Sequence, residues 1–123
     1  MRTVGRMTSM TVHREDDFAT TVLRHGDRAV VYVSGDVDLS TEDHLRQALL
    51  SLIGEQRVRQ VVVDLREIGF FGSDGLRVLA QAQLASELEG VTLTLAAVPP
   101  NVLRIMEITG MAGSFRIRKL APT

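Results

Sequence analysis

The sequence predicts a single α/β domain with a mixed, mainly parallel sheet of four or five strands and covering helices. Its 123 residues match the usual length of one domain. Strand-like and helix-like segments alternate in the order β-β-α-β-α-β-α-β, which indicates a largely parallel sheet. The valine-rich run Val61–Leu65 is typical of a strand that is covered on both faces.

The first half of the chain predicts a tail, a hairpin and a helix. Residues 1–17 lack periodicity and are expected to form a flexible N-terminal tail before a domain that spans residues 18–120. Two short apolar segments, 20–24 and 29–34, flank a His-Gly-Asp turn and predict a β-hairpin. A helix is then expected to start at Ser40 or Thr41, because both residues are good N-caps. Its apolar residues recur at helical spacing, and Gly54 ends it.

The second half predicts two further β-α units and a last strand. A loop over residues 66–72 is expected to follow the strand Val61–Leu65. The next helix is predicted from Ser73, as its N-cap, to about residue 89. The chain then continues with an apolar strand over 91–98. A helix that begins with two prolines and is capped by Gly110 follows, and the last element is an edge strand over 115–118.

Composition argues against several classes of function. The formal net charge is −1, which does not favour nucleic acid or an anionic membrane as the main partner. Cysteine is absent and the three histidines are scattered along the chain, so neither a metal nor an organic cofactor is expected. No apolar stretch approaches the ~20 residues of a membrane span, and no export signal is visible, so a cytoplasmic protein without membrane insertion is expected.

The most informative segment is a serine between glycines at a predicted strand-to-helix turn. Gly72 and Gly75 flank Ser73 and leave the backbone open to another protein. A phosphate on Ser73 would lie at the positive end of a helix dipole, which makes this residue a candidate acceptor for a protein kinase. The alternative is an ordinary helix cap in a loop of ordinary composition.

Carboxylates are expected at the same edge of the sheet. Asp36 and Asp38 follow a strand that should be parallel to the next one, so both should lie near Ser73. A general acid–base pair would need a cleft and a substrate, neither of which the sequence shows, and the alternative is solvated turn carboxylates of which one assists a helix cap. A hydrolase built from Ser73, His44 and Asp38 is disfavoured, because Phe71 stands where a nucleophile elbow requires glycine. We therefore expect no enzymatic activity.

Three segments in order carry a family resemblance. These are Gly-Asp-Val-Asp at 35–38 with Thr41, the strand 61–65, and Phe-Phe-Gly-Ser-Asp-Gly-Leu at 70–76. Together they resemble the STAS domain of bacterial anti-sigma-factor antagonists, over residues from about 20 to 119. The segment 106–111 is similar to the last helix of that family and the step that follows it.

The resemblance implies a mixed-sheet domain with four or five helices that takes part in partner switching. Such a protein binds an anti-sigma factor with a GHKL-type serine kinase fold and so releases the sigma factor. Phosphorylation on a serine ends the interaction, and a PP2C-type phosphatase is a possible further partner. Ser73 falls on the position of that serine, and Asp38 on a family aspartate near the kinase interface.

The predicted partner-binding residues surround Ser73. They are Asp36, Asp38, Thr41, Gly72, Asp74 and Gly75. Two positions depart from the family pattern: Gly72 replaces an aspartate, and Asp74, in place of a serine or threonine, adds a negative charge beside the acceptor. The alternative function is a structural STAS subunit of a cytoplasmic complex, such as a lipid-transport ATPase, which needs no phosphorylation.

Overall fold

The computed structural model describes residues 8–15 and 17–119, which form one six-stranded sheet and three α-helices. The strands are β1 (Thr8–Glu15), β2 (Phe18–His25), β3 (Arg28–Val37), β4 (Gln60–Phe71), β5 (Thr92–Ala96) and β6 (Arg116–Arg118). The helices are α1 (Glu42–Ile53), α2 (Ser73–Glu89) and α3 (Pro100–Ile108), followed by a 3₁₀ turn at Ala112–Ser114. The expected four or five strands are thus corrected to six. The four or five helices that the resemblance implies become three α-helices and one 3₁₀ turn in the described part of the chain.

The additional strand is β1, which lies in the segment that the sequence predicts as a tail. It pairs antiparallel with β2 along its whole length, from Thr8 opposite His25 to Glu15 opposite Phe18. Met10 and Val12 are 65% and 50% exposed, so this edge strand buries little apolar surface. Backbone hydrogen bonds of an edge strand leave no strong apolar pattern, and the sequence therefore gives no sign of it.

The strands follow one another in the sheet in chain order, β1 to β6. The pairs β1–β2 and β2–β3 are antiparallel, whereas β3–β4, β4–β5 and β5–β6 are parallel. The predicted hairpin and the predicted parallel pairing of β3 with β4 are both confirmed. The carboxyl ends of β3 and β4 therefore meet at one edge of the sheet.

All three helices contribute to a single large core. Buried side chains from one face of the sheet pack against those helices, among them Val31, Val63, Leu95, Leu49, Leu79 and Met106. The opposite face of the sheet holds a small separate cluster of Val30, Val62 and Ala96, to which no helix contributes. The helices thus cover one face of the sheet, and their packing fixes the positions of the first turns of α1 and α2.

The predicted loop over residues 66–72 is wrong, because β4 continues through Phe71. Two steps along β3, from Tyr32 to Ser34, correspond to three along β4, from Asp64 to Glu67. A second shift of the same kind follows before Val37 pairs with Phe71. Each extra residue in β4 is accommodated by a bulge, which also disguises the alternation that would mark a strand. The next strand, β5, ends earlier than predicted, at Ala96, because Ala97 adopts a left-handed conformation (φ 52°).

Candidate functional site

The β3–α1 loop is held in a fixed shape by its own polar side chains. The Asp38 carboxylate accepts hydrogen bonds from the Ser40 hydroxyl at 2.7 Å, the Ser40 N–H at 2.9 Å and the Thr41 N–H at 3.2 Å. Thr41 is buried, and its hydroxyl accepts from the Asp38 N–H and donates to the Asp36 carbonyl oxygen. Thr41 is the N-cap of α1, but its hydroxyl serves the loop and makes no capping hydrogen bond. The loop therefore reaches its shape without a partner.

This hydrogen bonding also stabilises the charge on Asp38. The Ser40 hydroxyl is the main cause that holds the pKa of the Asp38 carboxyl below its ordinary value of 3.8. Desolvation acts in the opposite direction, and the N–H groups of Ser40 and Thr41 lower the pKa further. Asp38 is consequently an ionised carboxylate at neutral pH, presented at the edge of the sheet.

The second aspartate joins the loop to the end of β4. One oxygen of the Asp36 carboxylate accepts a hydrogen bond of 2.7 Å from the Phe70 N–H. The Phe70 side chain is 59% exposed, and its ring lies over Gly72, where an added Cβ would meet the ring at 3.2 Å. The predicted carboxylates and the glycine-serine segment thus lie at the same edge, as the sequence predicts.

Ser73 is the exposed first residue of α2. The predicted cap is one residue out, because Gly72 is the N-cap and its carbonyl accepts the N–H of Leu76 at 3.2 Å. Because Gly72 and not Ser73 is the N-cap, the Ser73 hydroxyl is not needed as a cap for the helix. It lies where the first backbone N–H groups of α2 are open to an anion.

Gly75 has a structural role that differs from the one the sequence suggests. It is buried, and an added Cβ would lie 2.5 Å from Cε2 of Phe71. Glycine at this position lets the first turn of α2 rest on the buried Phe71 ring. The backbone at Gly75 is therefore approached by the Phe71 ring of the protein itself, and not left open to another protein as the sequence suggests.

A network of ion pairs joins the first turns of α1 and α2. Glu42 is buried, with 8% of its side chain exposed, and its carboxylate contacts Arg46 at 2.7 Å and Arg77 at 3.5 Å. Arg77 also pairs with Asp74 at 3.2 Å. Arg46 pairs with the exposed Asp43 and donates to the side chain of Gln81 on α2 at 2.8 Å. The charge of Asp74 is therefore partly compensated within the protein.

The sequence does not single out this network or the apolar groups beside it. Local spacing at i and i+3 or i+4 is compatible with the pairs that Arg46 forms within α1 and that Arg77 forms with Asp74. No local spacing indicates the contact of Arg77 with Glu42, which joins the two helices. Leu39, which follows Asp38 directly, is 77% exposed, and Phe70, whose N–H binds Asp36, is also exposed. Exposed apolar side chains with polar groups around them are typical of a surface that contacts another protein.

The structure brings two of the scattered histidines together. His13 Nε2 on β1 lies 3.0 Å from His44 Nδ1 on α1, and the rings stack with centroids 5.0 Å apart. This pair is invisible in the sequence because β1 is not predicted. Within residues 8–15 and 17–119, no group of three or more His, Asp or Glu side chains is arranged to hold a metal ion. In the same ranges, no helix is long and apolar enough to cross a membrane.

Comparison with known proteins finds similar sequences over most of the chain. The family model described as "Mlab, STAS domain" matches residues 20–120. A curated relative from Mycobacterium tuberculosis, the anti-sigma-F factor antagonist RsfB, is 29% identical over 104 residues, which are 83% of this chain and 82% of the relative.

Solved structures of similar proteins share the fold. An anti-sigma factor antagonist from Mycobacterium paratuberculosis superposes with a TM-score of 0.67 at 26% identity, over 95% of this chain and 87% of that one. The antagonist SpoIIAA in its unphosphorylated form superposes with a TM-score of 0.64 at 13% identity, over 89% and 87% of the two chains. At such low identity the second likeness concerns the fold alone.

Proposed function

Because the chain belongs to the STAS family, we propose that it is an anti-sigma factor antagonist that is switched off by phosphorylation of Ser73. Its partner is an anti-sigma factor with a GHKL-type serine kinase fold, and a PP2C-type phosphatase resets the switch in the cytoplasm. The name of the RsfB relative supports the antagonist function. The protein itself is a regulator and kinase substrate with no catalysis of its own.

The exposed Ser73 hydroxyl is the observation that carries the switch. It is the first residue of α2, at the edge of the sheet that also carries the ionised Asp38 and the exposed Phe70 ring, so a kinase that docks on this edge reaches it directly. Exposed Leu39 and Phe70 offer the apolar contacts of the docking surface. Asp36 and Asp38 offer its charges, while buried Thr41 and Gly75 act by fixing the backbone.

Phosphate on Ser73 ends the interaction through charge. It adds about −1.5 to −2 charges at neutral pH. The N–H groups of α2 offset part of this inside the antagonist, so its fold changes little. A partner that packs on the same surface must desolvate the phosphate without supplying a cation of its own. Such contacts cost several kcal/mol, and each ~1.4 kcal/mol is tenfold in affinity.

The site of phosphorylation can be tested with the kinase encoded by the same organism. Incubation with ATP should add one phosphate, located by mass spectrometry on Ser73 and abolished by Ser73→Ala. Ser114→Ala, which alters an exposed serine after α3, is the matched control and should leave the modification intact. A phosphate located on Ser40 or Thr41 would show that the switch lies in the β3–α1 loop.

The effect on the partner can be measured by calorimetric titration. Ser73→Glu should weaken binding at least about tenfold with little change in melting temperature. Ser114→Glu, which adds the same charge at an exposed serine after α3, is the control and should bind as wild type does. Equal affinities of wild type and Ser73→Glu would contradict the switch, and co-purification with a transporter ATPase would favour a structural STAS subunit instead.

A further inference from the structure

Arg77 is placed to respond to a charge on Ser73. It lies four residues after Ser73 on α2, and residues at i and i+4 are neighbours on a helix surface. Arginine side chains on a helix lean toward its N-terminus, so that of Arg77 reaches back over the first turn. Its contact with Asp74 in that turn shows this direction.

The present partners of Arg77 hold it loosely. The contacts to Asp74 and Glu42 are 3.2 and 3.5 Å, whereas strong charge-assisted hydrogen bonds are about 2.7–2.9 Å. The Arg77 side chain is 53% exposed, so its guanidinium can turn without disturbing the core. The planar guanidinium can bind a phosphate through the same two-pronged contact as a carboxylate, and the phosphate, with about −1.5 to −2 charges, attracts it more strongly.

We infer that phosphate on Ser73 draws Arg77 away from Glu42 and that this exchange carries the signal from α2 to α1. The inference rests on the proposed phosphorylation of Ser73. Arg46, 2.7 Å from Glu42, keeps that buried carboxylate paired after Arg77 has left. The exchange therefore costs little.

The exchange reaches the proposed docking loop through the chain itself. Glu42 is the first residue of α1 and follows Thr41, whose hydroxyl bridges the backbone of Asp36 and Asp38. If Glu42 loses its contact with Arg77, the electrostatic surroundings of Thr41 and of the loop before α1 change. Phosphorylation thus changes two parts of the surface, the start of α2 and the loop before α1.

The test uses phosphoserine placed at position 73 during translation, so it needs no kinase. Phosphorus NMR titration should give a phosphate pKa lower by about 0.2–0.4 unit in the wild-type background than with Arg77→Gln, as expected for an ion pair at this helical spacing. Arg77→Lys should restore most of the shift. Arg104→Gln, which alters an exposed arginine on α3, should behave as wild type.

The transfer to α1 has its own readout. Phosphoserine at position 73 should shift the amide resonances of residues 41–44 in the wild-type background, and at least half of that shift should vanish with Arg77→Gln. Equal phosphate pKa values, or equal amide shifts in both backgrounds, would overturn the inference. Neither result depends on the kinase, so a failure of Ser73 phosphorylation by the partner remains a separate finding.

Discussion

Gly75→Ala should destabilise the protein, because the space that a methyl group needs is already filled. The new Cβ would lie 2.5, 2.7 and 2.8 Å from three carbons of the Phe71 ring, well inside van der Waals contact. Phe71 is 2% exposed and packs in the main core, so its ring cannot move into solvent. Forcing extra volume into a packed core typically costs about 1–3 kcal/mol.

Part of that cost is offset by the helix. Alanine is favoured over glycine inside helices by up to ~1 kcal/mol. Because the contacts are as short as 2.5–2.8 Å, the packing cost should lie in the upper part of its range, at about 2–3 kcal/mol. The net loss should therefore be about 1–2 kcal/mol, which lowers the melting temperature by roughly 4–8 °C for a domain of this length. Urea denaturation followed by circular dichroism measures it. Gly113→Ala is the control, since no atom lies within 4 Å of its added Cβ, and it should shift stability by less than about 0.5 kcal/mol.

A second substitution isolates the contact. In the Phe71→Leu background the ring is gone, so adding Gly75→Ala should cost less than about 0.5 kcal/mol or even stabilise the helix. The same loss in both backgrounds would mean that the Phe71 ring is not the cause. No loss in the wild-type background would refute the packing argument altogether.

Two further predictions concern charge and packing. The lowered pKa of Asp38, caused mainly by the Ser40 hydroxyl, means that its carboxylate stabilises the fold above its ordinary pKa of 3.8 and loses this effect as the pH falls through the folded-state pKa. The difference in melting temperature between wild type and Asp38→Asn should therefore shrink as the pH falls from about 5 to about 2, and a difference independent of pH would contradict it. Met106→Ala should cost about 2–5 kcal/mol in urea denaturation because Met106 is fully buried, whereas Ile108→Ala, at a residue 74% exposed, should cost little. Similar losses for both would contradict the burial of the inner face of α3.

The central strands were predictable because their side chains have strong patterns. The valine-rich run in β4 and the paired strands of the β2–β3 hairpin bury apolar groups that the sequence displays. The parallel pairing of β3 with β4 then follows from the helix between them. The same reasoning placed Asp36, Asp38 and Ser73 at one edge, where the Asp36–Phe70 contact joins the two segments.

The parts that escaped prediction depend on contacts between distant segments. The strand β1 is defined by backbone pairing at an edge, and the His13–His44 contact comes with it. The bulges that extend β4 to Phe71 break the alternation on which strand prediction relies. The pairing of Arg77 with Glu42 links two helices, and no local spacing reveals it.

The ion pairs change the expected effect of Asp74, the residue after Ser73, on the proposed switch. From sequence alone, Asp74 places a standing charge beside the acceptor and would weaken partner binding before any phosphorylation. In the structure, Arg77 pairs with Asp74 and Glu42, and Arg46 pairs with Glu42 and Asp43, so three carboxylates share two cations. The charge of Asp74 is therefore partly compensated before any phosphorylation, whereas a phosphate adds about −1.5 to −2 charges to the same turn. The departure from the family pattern at Asp74 therefore takes away only part of the amplitude of the proposed switch, because Arg77 already pairs with the added carboxylate.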